Sequence, residues 1–322
     1  MTIVADVKER GFDAVRDWSV ELDGVEPVRA VPAGDVPKQA ILALADRVRR
    51  WHELQRPRDL ELEVEPGVLL ERRWFPLETV GVYVPRNLVS TLVMCVVPAQ
   101  VAGVSRIVVC TPPEGAGLVA AAARLLGLDD VWALGGPQAI GYLAYVERVD
   151  KIVGPGNSHV NEAKLEVARD VAIDLPCGPS EVIVVGNGDR LVIDQELAAQ
   201  QEHGPGSVCR AFATLEEAEQ LAPEHLVLLG DAEREAGRVR NAGAVFVGRW
   251  SPVAAGDYAT GGNHVLPTSG WARSLGGLGL ETFMKPVTFQ RLTREGLARV
   301  RPTAEALAAV EGMPAHAAAV RR

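Results

Sequence analysis

Apolar and polar positions alternate along the chain with two periods. Residues 38–55, KQAILALADRVRRWHELQ, carry apolar side chains at helical spacing, and Pro57 ends the helix. The stretch ELEVEPGVLLERRWFPLETVGVYV breaks into short strands at Pro66, Gly67 and Pro76. VSTLVMCVVPAQVAG predicts a helix with Pro98 at a boundary or kink, RIVVCTPP a strand, and AGLVAAAARLLG a helix closing on Gly127. VWALGG is a further buried strand, followed by a helix (PQAIGYLAYV), a strand (DKIVGPGN) and a helix (HVNEAKLEVARD). Residues 81–180 thus repeat a strand–helix unit, the pattern of a parallel sheet covered by helices. A second set runs from EVIVVGN through a helix at 192–202 and the short strand VCRAF to NAGAVFVG. The two sets read as two similar α/β halves without a clean sequence repeat, and no linker separates them. After TSGWARSLGG the last 40 residues read as mostly helical.

The 322 residues suffice for about two domains, and 48% hydrophobic residues supply real cores. Lys and Arg number 33 against 42 Asp and Glu, a formal charge of −9. That excess argues against a phosphate-backbone partner, which needs concentrated cations. The N-terminus has charges at Asp6, Lys8, Glu9 and Arg10 in place of a signal-peptide core, and no apolar run reaches the ~18 residues of a membrane span. Cys95, Cys110, Cys177 and Cys209 lie far apart with no CxxC pair, so we expect reduced thiols in a cytoplasmic protein.

Six histidines occur, four of them among polar residues. Gln200 and His203 stand at i and i+3 of one helical face. Glu224 adjoins His225, residues 256–264 form a glycine-rich polar loop holding Asp257 and His264, and Glu311 and His316 lie near the C-terminus. Singly, each has a bland reading: a helix-surface histidine, a helix-start acid, a solvated turn, a fraying tail. Small residues at the turns Leu134–Gln138, Gly154–Asn157 and Gly178–Glu181 suggest a cleft lined by backbone, where helix N-termini can meet a phosphate. There is no G-x-G-x-x-G fingerprint, and spacing alone leaves this signal weak.

Taken in order, VGVYVP, VPAQVAGVSRIVVCTPP, ALGGPQAI, DKIVGPGNSHVNEAK, IDLPCGPSEVIVV, QQEHGP, PEHL, NAGAVFVG, GDYATGGNHVLPTSG and EGMPAH resemble histidinol dehydrogenase from about residue 75 to the end. The resemblance implies two incomplete Rossmann-like parallel-sheet domains plus a helical C-terminal segment. Residues 1–80 and 181–282 would form the domain with the metal and catalytic residues, 81–180 the NAD-binding domain, and 283–322 a helical tail reaching the partner subunit's site. It implies oxidation of L-histidinol to L-histidine through the aldehyde, with two NAD and a zinc ion, in a homodimer with shared sites. Gln200, His203, Asp257 and His316 would be the zinc ligands, and Glu224 and His225 the acid–base pair. Ser180, His264 and Glu311 would be further substrate contacts, alongside the zinc ligands and His225, and Tyr83, Gln138 and Asn157 would meet NAD. The chain is shorter than this family: Arg86-Asn87 replace a longer glycine-rich loop, and a strand–helix unit is missing between His203 and Pro223. The alternatives are an NAD-dependent dehydrogenase of another amino alcohol or small diol, and a non-catalytic zinc-binding paralogue. The Glu224-His225 pair favours the histidinol reading over the last.

Overall fold

The computed structural model describes residues 1–176, 178–204 and 206–321, so Cys177 lies outside the described residues. The protein is mixed α/β with parallel sheets, in two compact units: Met1–Arg56 with Leu77–Phe283, and Pro57–Pro76 with Met284–Arg322.

The first unit holds two sheets. One has six strands in the order Val28–Arg29, Val131–Ala133, Arg106–Thr111, Thr79–Tyr83, Lys151–Val153 and Ala172–Ile173. Only the Val28–Arg29 edge is antiparallel. From Thr79–Tyr83 the chain steps outward twice in one direction, then returns to the other side of that strand for Lys151–Val153. The order therefore reverses between Thr79–Tyr83 and Lys151–Val153, the place where open α/β sheets leave a crevice at their carboxyl ends. The helix Val89–Ala102 is buried along most of its length and contains Pro98, as its apolar run predicts.

The other sheet has four parallel strands in the order Val208–Phe212, Glu181–Gly186, His225–Leu229 and Ala244–Val247. Ile183, Val185, Leu226 and Leu228 enter one core, and Val182, Val184, Val227 and Leu229 enter another. Strands buried on both faces lose the polar alternation of an exposed sheet, which is why EVIVV and HLVLL read as unbroken apolar runs.

In the second unit, Leu60–Glu65, Val68–Pro76 and Met284–Leu292 form an antiparallel sheet, followed by the helices Arg294–Val310 and Pro314–Ala319.

Two expectations change. The segment from 283 is not wholly helical: residues 284–292, MKPVTFQRL, pair along their whole length with Val68–Pro76. A β-branched and aromatic run with Pro286 suits an edge strand better than a helix. Residues 1–80 do not go with 181–282 as a block. Val4, Val7, Ala14 and Val15 of the N-terminal helices fill the core of the six-stranded sheet, and Val28–Arg29 pairs with Val131–Ala133. Residues 57–76 belong to the second unit.

Candidate active site

The four-stranded sheet gathers the polar residues at the amino ends of its strands. Ser180 and Glu181 open one strand, and Glu224 and His225 open its neighbour, with His225 paired opposite Val182. Helices in right-handed crossovers run back against the strands, so their carboxyl ends return to this edge. That return carries Gln200 and His203 at the end of the helix Arg190–Gln201, and Asp257 in the helical turn Gly256–Thr260 after the last strand.

Glu224 is buried and held on one oxygen. Its Oε2 accepts the Ser180 hydroxyl at 2.6 Å and the Glu181 backbone N–H at 2.8 Å. The His225 Nδ1 is 3.0 Å from the Glu181 carbonyl oxygen and 3.5 Å from Glu224 Oε2. A carbonyl oxygen only accepts, so Nδ1 carries the proton and the Nε2 lone pair is left over. Nε2 is buried with no hydrogen-bond partner, 3.8 Å from Asp257 Oδ1. Burial pushes the His225 imidazole down, but the Glu224 carboxylate and then Asp257 outweigh it, and the net shift is upward. Burial pushes Glu224 up, yet His225, Ser180 and the Glu181 N–H hold it below the usual carboxylate range. The bland reading of Glu224 as a helix-start acid fails, because it precedes a strand. Glu181 completes the frame, accepting the backbone N–H groups of Ser269 at 3.0 Å and Glu224 at 3.3 Å.

A pocket of about 190 Å³ opens beside this pair, lined among others by His225, Phe246, Asp257 and His264. Both ring nitrogens of His264 are engaged: Nδ1 lies 3.1 Å from the Asp257 carbonyl oxygen and Nε2 3.2 Å from the Thr91 hydroxyl. Thr91 belongs to the helix Val89–Ala102, so this bond ties the two halves of the first unit together.

Among the described residues, no three His, Cys, Asp or Glu side chains cluster as a metal site. The chemistry of the donors nevertheless fits a divalent cation. The buried His225 Nε2 has no hydrogen-bond partner, and Gln200, also buried, would offer a cation its amide oxygen. Buried polar atoms of this kind are uncommon unless something else binds them. The carboxylates of Glu196 and Asp257 act on one another, and among the described residues neither pairs with Lys or Arg. His225 is the single titratable group set against both carboxylates, and a dication would offset the negative charge it leaves. His203 is exposed, its Nδ1 3.3 Å from the Gln200 carbonyl oxygen. Glu311 and His316 are exposed residues of the second unit.

The expected cofactor residues follow the carboxyl ends of strands in the six-stranded sheet. Tyr83 ends the strand beside the reversal of order, Gln138 follows Val131–Ala133, and Asn157 follows Lys151–Val153. Burial pushes the Tyr83 hydroxyl up to about 12, and it accepts the Gly136 N–H. Gln138 is buried and donates to Asp23 at 3.0 Å, while Asn157 caps the helix Ser158–Val167 by accepting the Val160 N–H at 3.0 Å. Gly154 must be glycine: its φ is +108°, and a Cβ would stand 2.1 Å from the Tyr83 carbonyl oxygen. The buried pair Lys164–Asp174 pins this turn, with Lys164 Nζ donating to Gly154 O at 2.8 Å and Asp174 accepting the Gly154 N–H at 2.7 Å. Arg86 of the shortened loop pairs with Glu114 across the neighbouring turn.

A histidinol dehydrogenase family model matches residues 1–218 and 208–322. The chain belongs to the histidinol dehydrogenase family. The histidinol dehydrogenase of Methanosarcina barkeri is 37% identical over 390 residues, covering 99% of this chain and 90% of that protein. The Archaeoglobus fulgidus histidinol dehydrogenase is 38% identical over 380 residues, with 99% and 93% covered. The crystal structure of histidinol dehydrogenase from Elizabethkingia anophelis superposes with a TM-score of 0.89 at 30% identity, covering 99% of this chain and 89% of that one. The two family-model segments meet at 208–218, on the strand Val208–Phe212 and the start of the next helix. This is the stretch between His203 and Pro223 where a strand–helix unit is expected to be missing, and it holds the strand Val208–Phe212 and the helix Leu215–Leu221.

Motif reading missed Thr91, Glu181 and Glu196. Glu196 had a signal, since it precedes Gln200 by one helical turn. Thr91 and Glu181 gave none, because their contacts join segments far apart in the chain.

Proposed function

We propose that this member of the histidinol dehydrogenase family oxidises L-histidinol to L-histidine through L-histidinal, passing two hydrides to NAD, in histidine biosynthesis. The observation that carries the reading is the Glu224–His225 pair, built and held at a pocket in a chain similar to histidinol dehydrogenases over nearly its full length. We read the two parallel sheets as incomplete Rossmann-like halves, with Tyr83, Gln138 and Asn157 on the NAD side. Gln200, His203 and Asp257, with His316 from a second copy of the chain in a homodimer, would hold zinc. Zinc, when bound, supplies a template and Lewis acid for the amine and imidazole of histidinol.

The chain's own residues then move the protons. His225 presents its Nε2 lone pair to the pocket and takes the alcohol proton as hydride leaves to the nicotinamide. Glu224, ionised and anchored through Oε2, has Oε1 for the water that adds to the aldehyde, and takes its proton before the second hydride leaves. Ser180 acts through Glu224 in this arrangement. His264, whose ring nitrogens are both bonded within the chain, would meet substrate as part of the pocket wall, and Glu311 would complete the substrate contacts. We place the enzyme in the cytoplasm, in keeping with four cysteines that lie far apart in the sequence with no CxxC pair.

His225→Ala tests the role of the pair. Turnover falls on the order of 10²–10⁴-fold, with the fold and zinc content retained. Wild-type turnover in this variant would remove His225 from the mechanism.

A further inference from the structure

One buried carboxylate joins the two segments that carry Gln200 and Asp257. Glu196 lies on the helix Arg190–Gln201, one turn before Gln200, and both side chains are buried. Its Oε2 accepts the backbone N–H of Val253 at 3.1 Å. Val253 is the first residue of the helical turns Val253–Ala255 and Gly256–Thr260, so Asp257 follows it by the same four-residue step. The bond ties the helix that carries Gln200 to the segment that carries Asp257, one step before each of them.

The N–H of a first helical residue has no partner within its own helix, so a buried one needs an acceptor from elsewhere. An amide or hydroxyl would serve for that alone. The Glu196 carboxylate feels the charge of Asp257, and His225 is the group that counters both; with no Lys or Arg paired to either among the described residues, a cation close by would offset the remaining negative charge.

We propose that Glu196 is a positioning residue of the metal site, clamping the Asp257 segment to the Gln200 helix at the spacing a divalent cation requires. The inference rests on the zinc reading above and deepens it. Partners that orient metal ligands are worth about 10–100-fold in metal affinity.

The test measures zinc affinity by chelator competition, and the thermal midpoint of the metal-free protein, for wild type, Glu196→Ala, Glu196→Gln and Val253→Pro. Glu196→Ala binds zinc about 10–100-fold more weakly. Glu196→Gln, whose amide oxygen accepts the same N–H, retains most of the affinity. Val253→Pro deletes the donor and leaves Glu196 in place. Proline is tolerated at a first helical position, and Pro252, at φ −67° and ψ 146°, already has the conformation that precedes a proline. It weakens zinc as Glu196→Ala does. Wild-type affinity in Glu196→Ala or Val253→Pro, even with a lowered midpoint, makes Glu196 merely structural and overturns the clamp. A Glu196→Gln protein as weak as Glu196→Ala overturns it in favour of charge alone. Should Glu196→Ala fail to fold, Val253→Pro and Glu196→Gln decide. A wild-type chain that holds no zinc strikes the metal reading itself, and the clamp with it.

Discussion

The hydroxyl of Thr91 and the imidazole of His264 share a bond between residues 173 positions apart, and it sets what His264 can do. Burial pushes the His264 imidazole down, so it is neutral, with its Nδ1 proton on the Asp257 carbonyl and its Nε2 lone pair on Thr91. Thr91→Val removes one neutral hydrogen bond and lowers stability by about 0.5–1.5 kcal/mol, while Thr91→Ser keeps it. Urea denaturation of the two variants checks this, and equal stabilities would show the bond to be idle. His52 offers a pH test away from the site. Its ring is fully buried, with Nδ1 2.7 Å from the Val48 carbonyl oxygen, and burial pushes its pKa down. The unfolded chain therefore binds the proton more readily. Stability from this group is complete above the unfolded pKa near 6.5 and is lost as pH falls below it, by up to about 1.4 kcal/mol per unit. Replacing His52 by Gln should flatten that part of the profile of thermal midpoint against pH; an unchanged slope would assign the acid sensitivity elsewhere. The sequence named His264 as polar and loop-borne, but Thr91, inside an apolar helix, gave no sign that it faces that imidazole.

At the scale of elements, periodicity identified the strand–helix units well, because each buried strand or helix announces its own face. Pairing was less legible. The run from Met284 to Leu292 has strand chemistry, but its partner lies over 200 residues upstream at Val68–Pro76, and only that pairing makes it a strand. The two-residue strand Val28–Arg29 is too short to carry a period at all. Asn157 illustrates an overlap of roles, since the residue expected to meet NAD is also the cap of Ser158–Val167. Asn157→Ala should cost about 0.5–2 kcal/mol through the lost cap, and Asn157→Ser should restore it. Calorimetry then separates the roles: Asn157→Ser binds NAD more weakly than wild type if the amide touches the cofactor. Equal binding leaves Asn157 a cap only.

Over the whole molecule, ordered motifs made the family legible, because each preserves a turn or a polar cluster that the fold needs in one place. The grouping of 1–80 did not follow from them, since no motif there says which sheet the N-terminal helices cover. The shared-site reading belongs at this scale too. Mixed dimers of an Asp257→Ala chain with a His316→Ala chain should regain part of the activity that each variant lacks alone. No recovery in proven heterodimers would mean that one chain builds each site. The most direct test of the account counts NADH formed per histidinol consumed by the purified, zinc-loaded protein. Two NADH with L-histidine as product is the predicted result. One NADH with the aldehyde or another product, or none with zinc and histidinol both bound, would contradict it.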